Sequence, residues 1–195
     1  LGDTRYKEYV ATRRPEFRRS HPSEKDQSFP EGANPLAVCA AIVTSDAKIL
    51  VERRRGLDVY PGCYHVIGGF FERDKDDGMS PNPAKAIQRE VWEETGLRLA
   101  RSRFTCLGLV YDLATPHPEL CFTAAVDSTF AEVSRRRGTD GEVQHLEFVE
   151  ASPESLRAFI LANHGNLSAT GEPCLLLYGK RRFGSIWFDS LLADI

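Results

Sequence analysis

Apolar and polar positions alternate along this chain in short runs, and the period of each run predicts its element. Residues 36–43, 48–51, 64–71, 104–111, 120–126 and 143–149 are of strand length and rich in aliphatic, β-branched or aromatic side chains, with turn-forming or charged clusters between them. They predict six strands. A different period marks residues 83–95, where Ala84, Ile87 and Val91 recur at i, i+3 and i+7 and form an apolar stripe. Asn82 is placed to cap that helix and Pro83 to open it, Ser80 and Pro81 are a second such pair, and Gly96 is a stop signal. Residues 153–162, with Leu156, Phe159, Ile160 and Leu161, and residues 186–195, with Trp187, Phe188, Leu191, Leu192 and Ile195, predict two more helices. Strands interleaved with helices imply an α/β fold, a mixed sheet between helical layers. Residues 1–34 are polar, mix charges of both signs, and carry Pro15, Pro22 and Pro30 without a sustained apolar period. They read as an N-terminal extension to a domain over residues 35–195. A tail is the simplest form for it, with a short helix from Tyr6, packed on the domain or on the partner subunit of a homodimer, as the alternative.

Composition narrows this picture only a little. A chain of 195 residues with 42% hydrophobic positions buries one good core, so a single domain suffices. The net charge of −3 gives no overall attraction to nucleic acid or to anionic membranes. No stretch is long and apolar enough to span a bilayer, and no signal-peptide pattern opens the sequence. Cys39, Cys63, Cys106, Cys121 and Cys174 contain no C-x-x-C pair, and their odd number fits a reducing, cytoplasmic setting. Cys39, Cys106 and Cys121 lie in apolar runs and read as buried small hydrophobes, and Cys63 lies beside the presumed site.

Candidate chemistry is concentrated in the run Arg-Glu-Val-Trp-Glu-Glu-Thr-Gly-Leu, residues 89–97. It sets Glu90, Glu93 and Glu94 at i, i+3 and i+4, on the face of the helix opposite the apolar stripe. Like charges within one turn repel, so a bound cation is the natural reason for them, and a solvated acidic face is the bland alternative. Just upstream, the apolar run 65–72 is broken by Gly68 and Gly69, where the backbone must bend or come close to something, and a carbonyl there is a candidate metal ligand.

This run resembles the Nudix box, whose pattern is Gly, five residues, Glu, seven residues, then Arg-Glu-U-x-Glu-Glu-x-Gly-U with U apolar. Residues 89–97 satisfy every position of the second half, and residues 61–69, ending in Gly-Gly, are similar to the family's approach to it. The first half departs. From Gly69 to Arg89 the chain is six residues longer than the pattern, and Pro81 stands where the pattern has Glu. Glu72, Asp74, Asp76 and Asp77 are candidates for the missing acid, and the enlarged loop bears on substrate access.

The resemblance implies a Nudix-like α/β/α sandwich and Mg²⁺-dependent hydrolysis of the diphosphate linkage in a nucleoside diphosphate joined to another group, with Mn²⁺ as a second candidate ion. It implies Glu93 and Glu94 as main ligands, Glu90 as ligand or base, a carbonyl of Gly68 in the cage, and Arg89 as the group that orients a box glutamate. Arg89 and Glu93 are also an ordinary i, i+4 pair. Glu142, with Asp140 behind it, is the candidate for the further acid that relatives carry beyond the box. Arg53, Arg54 and Arg55 are candidates for a substrate phosphate. His65 and His145 flank these segments and read as structural, and Trp92, Tyr111 and Phe122 read as core before base-stacking groups. The alternative is a non-catalytic nucleotide-binding or regulatory module on the same scaffold. An isoprenoid diphosphate isomerase is set aside, because its Asn-Thr-Cys-x-x-His-Pro-type segment is absent.

Overall fold

Strand β1, Ala37–Val43, forms the centre of the molecule because both of its faces are apolar. Val38, Ala40 and Ile42 point to one side and Cys39 and Ala41 to the other, and all five are fully buried. The computed structural model describes residues 6–12, 34–54, 59–72, 82–136 and 146–195. Arg55, Asp74, Asp76, Asp77, Asp140, Glu142 and His145 lie outside the described residues.

Around β1 runs a seven-stranded mixed sheet. β2, Lys48–Arg53, is antiparallel to it, with Val43 opposite Ile49. β3, Tyr64–His65, pairs antiparallel with the end of β2, and β4, Ile67–Phe70, pairs antiparallel with the first half of β1. β5, Thr105–Asp112, is antiparallel to β6, His117–Ala125, which runs parallel to β1. β7, Leu146–Glu150, closes the other side of β2. The single strand expected over residues 64–71 is therefore two, broken at the fully buried Val66, where the chain leaves β2 and takes up β1 as its partner.

Among the described residues six α-helices accompany the sheet: α1 (Tyr6–Thr12), α2 (Pro83–Thr95), α3 (Phe130–Ser134), α4 (Pro153–Asn163), α5 (Gly171–Phe183) and α6 (Ser185–Leu192). Ala86, Ile87 and Val91 of α2 and Val133 of α3 cover the Val38 face, while Leu156 and Ile160 of α4, Leu175 of α5 and Leu191 of α6 cover the Cys39 face. The result is the α/β/α sandwich. No helix among the described residues is long and apolar enough to cross a membrane.

Three helices, α1, α3 and α5, differ from the leading sequence expectation. α5 has no clear signal, because it opens Gly-Glu-Pro and carries Gly179 in its middle. Pro173 stands in the first turn, where its missing N–H costs nothing. Gly179 is required by packing: a Cβ there would lie 2.1 Å from Cζ3 of Trp187, whose indole N–H donates to the Pro153 carbonyl at 2.9 Å. Lys180, Arg181 and Arg182 then close the last turn of α5, where cations complement the helix dipole. The second difference is α1. Residues 6–12 are a helix docked on the domain, with Tyr9 fully buried edge-on to Phe70 at 5.3 Å between centroids. Cys106 is exposed, unlike Cys39, Cys121 and Cys174.

Candidate active site

Helix α2 begins where its caps dictate. The Asn82 side chain accepts from the Lys85 N–H at 3.2 Å, Pro83 takes the first turn, and Gly96 ends the helix at φ 69°. Its apolar stripe is Ala86, Ile87 and Val91, with Ala84 only half-buried. The carboxylates do not lie wholly opposite that stripe. Glu90 and Glu94 are 8% and 7% exposed, and both face the glycine pair of β4. The Gly68 N–H donates to Glu94 Oε2 at 3.3 Å, and a Cβ on Gly69 would sit 2.6 Å from Glu90 Oε1. Gly69 is thus what leaves room for the Glu90 carboxylate between helix and sheet, whereas a Cβ on Gly68 would lie 2.4 Å from the Val38 carbonyl oxygen of β1.

Arg89 organises this cluster. Its Nη1 donates to Glu93 Oε2 at 2.8 Å, and its Nη2 lies 2.9 Å from Glu90 Oε1 and donates to the Phe70 carbonyl at 3.0 Å. Glu72 approaches the same guanidinium at 3.5 Å, so of the four candidates for the missing box acid it is the one that the described residues bring to the cluster. Buried carboxylates next to one another are costly without a compensating charge, and Arg89 supplies one. The donor set is all oxygen, which suits a hard divalent cation.

The arginine run is engaged elsewhere in part. Arg53 is exposed with its guanidinium 4.9 Å from the centre of the Tyr64 ring. Arg54 donates to the Val59 carbonyl at 3.1 Å and lies 3.9 Å from the buried Glu52, so it ties Val59 to the end of β2. Of the aromatic candidates, Phe122 is buried in the α2-side core, Tyr111 is exposed with its hydroxyl on Asn34, and Trp92 is half-buried with Arg98 above its ring.

A second polar cluster has no counterpart in the sequence expectations beyond His65. Glu119, on the same face of β6 as Cys121, is buried between His65 and His117, each with Nε2 at 3.6 Å from a carboxylate oxygen. Burial alone would raise its carboxyl, yet His117, His65 and Thr170 hold it down to about 2. Burial lowers His65 to about 4, so its ring is neutral near pH 7 and bonds Ser168 Oγ at 2.6 Å. His117 is also disfavoured as a cation by burial, but Glu119 and the Thr115 carbonyl raise it above its ordinary value. Asp112 accepts from the hydroxyls of Tyr60, at 2.6 Å, and Thr115. The signal for this cluster was Glu119 itself, an acid at an inward position of an otherwise apolar strand. Phe70 joins the two clusters: its carbonyl holds Arg89, and its ring packs on His117 and Tyr9.

Comparison with known proteins bears on the fold and the family. No curated protein matches the chain. The Nudix domain of NrtR from Shewanella oneidensis, solved in complex with ADP ribose, is similar at 17% identity and a TM-score of 0.58, over 92% of this chain and 99% of that one. A bifunctional NMN adenylyltransferase/ADP ribose pyrophosphatase from Francisella tularensis, complexed with AMP and a Mn ion, gives 15% identity and a TM-score of 0.55, over 80% of this chain and 43% of that one. The MutT protein from Methanosarcina mazei Go1 gives 19% and 0.54, over 78% of this chain and 97% of that one. These likenesses establish the fold. The family model described as the NUDIX domain matches residues 33–166, well over half of the sequence. The chain belongs to the NUDIX domain family.

Proposed function

We propose that the protein is a pyrophosphohydrolase that uses Mg²⁺, with Mn²⁺ as a substitute, to cleave the diphosphate linkage of a nucleoside diphosphate joined to another group. The observation that carries the reading is the placement of Glu90 and Glu94 against Gly68 and Gly69, with Arg89 gripping Glu90 and Glu93. Oxygen donors without sulfur or imidazole fit a hard ion, and a site of a few carboxylates leaves positions for substrate oxygens. Glu93 and Glu94 would hold the ion, with Glu90 and a carbonyl of Gly68 beside them. When bound, the ion offsets the negative charge of the phosphates and lowers the pKa of a coordinated water.

The remaining work falls to the chain's own groups. Arg89 fixes the rotamers of Glu90 and Glu93, so the carboxylates are positioned before substrate arrives. Glu142, or Glu90, accepts the proton of the attacking water. Arg53, Arg54 or Arg55 meets a substrate phosphate, which for Arg53 and Arg54 means leaving the Tyr64 ring or the Val59 carbonyl. ADP-ribose is the first compound to test, since one similar structure holds it and another is described as an ADP ribose pyrophosphatase. The assay is a panel of diphosphate compounds with and without Mg²⁺, coupled to a phosphatase that frees phosphate only from cleaved products. Ion-dependent release from at least one compound is the expected result. Tight binding without release would favour the regulatory module, and neither binding nor release would overturn both readings.

A further inference from the structure

The three buried cysteines converge on one point. Cys39 on β1 and Cys121 on β6 are direct partners in the parallel register, so their side chains leave the sheet side by side on the face that α5 covers. Cys174 descends from the first turns of α5 onto the same spot. The Cys39 and Cys121 sulfurs are 3.8 Å apart, and all three Sγ atoms lie within 4.8 Å of one another, each fully buried. A Zn–S bond of about 2.3 Å requires sulfurs roughly 3.8 to 4.0 Å apart around one ion, so a small contraction brings the trio to ligating distance.

We propose that Cys39, Cys121 and Cys174 form a structural site for a thiophilic divalent cation of the Zn²⁺ type, which ties β1, β6 and α5 together. Three soft donors select a soft or borderline ion, in contrast to the oxygen set on α2. Charge selects a divalent one. Each thiol that ligates releases its proton to solvent, so three thiolates around a divalent ion leave a single negative charge, whereas a monovalent ion would leave two in an apolar core that already holds Glu119. The N-terminal end of α5 favours that residual charge through the helix dipole, since Cys174 stands in its first turn.

The test uses the full chain with Cys63→Ala and Cys106→Ala, which leaves the three buried thiols as the sole cysteines. The reduced protein is refolded with one equivalent of Cd²⁺ or Zn²⁺ and desalted. The expected result is one ion per chain by native mass spectrometry, an ultraviolet thiolate-to-cadmium band, and a rise in Tm that grows with free Zn²⁺ beyond any rise that Mg²⁺ gives through the α2 carboxylates. The band should shrink and that excess rise in Tm disappear in Cys174→Ala and in Cys39→Ala. No retained ion and no band in the refolded two-alanine background would overturn the proposal by itself, whether or not the further variants fold. A band undiminished in both Cys174→Ala and Cys39→Ala would overturn it equally.

Discussion

Glu94 shows how position decides the cost of losing a charge. It is buried and accepts the Gly68 N–H, so Glu94→Gln keeps the shape and the acceptor while removing the charge. Turnover should fall at least about 10²-fold, roughly 2.7 kcal/mol of barrier, with Tm nearly unchanged. Glu94→Ala should also lose about 1–2 kcal/mol of stability, because it leaves a buried N–H unpaired. Steady-state rates and thermal melts check both, and a Gln variant within a few-fold of the parent activity would mean that the carboxylate holds no ion. Glu142→Gln probes a different role. A base acts only in the transition state, so kcat and kcat/KM should drop together by about 10² to 10⁴ at every Mg²⁺ concentration. Partial recovery at raised Mg²⁺ would instead mark Glu142 as a ligand, since mass action refills a weakened site but replaces no proton acceptor.

At the scale of the element, α5 and α6 are held together by a missing side chain. Gly179→Ala improves helix propensity by about 1 kcal/mol, but the new Cβ would collide with the Trp187 ring, and overpacking of this kind costs about 1–3 kcal/mol. A net loss of stability is the expected outcome. Urea unfolding of the variant checks it, and a midpoint equal to or above the parent value would show that the α5–α6 contact yields freely. The same pairing explains why α5 was hard to read. Its glycines and proline break a helical pattern locally, and only the burial of Cys174, Leu175, Leu176 and Tyr178 against the sheet offsets them. α2 was legible for the opposite reason, because Asn82, Pro83 and Gly96 are local signals that act without tertiary help.

Across the whole molecule, the buried cluster around Glu119 ties stability to pH. His65 is lowered in the folded state from 6.5 to about 4, so the unfolded chain takes up a proton that the folded one refuses. Its contribution is fully present above pH 6.5 and is lost as the pH falls toward 4, on the order of 3 kcal/mol at most. Glu119, lowered from 4.5 to about 2, adds stability above pH 4.5 that is lost toward pH 2. His117 acts with the opposite sign: raised above 6.5, it stabilises fully below that value, and its share fades as the pH rises through its folded value. Unfolding free energy should therefore fall on acidification from pH 6.5. His65→Gln should flatten the limb between pH 6.5 and 4 and weaken, without abolishing, the acid limb of Glu119, which His117 and Thr170 also hold down. Denaturant titrations at a series of pH values measure this, and parallel profiles for parent and variant would remove His65 from the account.

Sequence alone determined what depends on neighbours along the chain: the caps and length of α2, the i, i+3, i+4 carboxylates, the glycine pair, the approximate places of most strands, and through them the family. The rest required the folded chain. Periodicity placed the carboxylates opposite the apolar stripe, but β4 lies over Glu90 and Glu94 and buries them, a fact set by the register of Gly68 opposite Cys39. Glu72, alone of the candidates for the missing box acid that lie among the described residues, reaches Arg89 through contact across the helix–sheet gap. Cys39, Cys121 and Cys174 are far apart in sequence, and they meet only because β1 and β6 run parallel in one register while α5 crosses over them. Local signals encode turns, caps and faces, whereas the meeting of distant groups is decided by strand order and helix packing, which no local pattern contains.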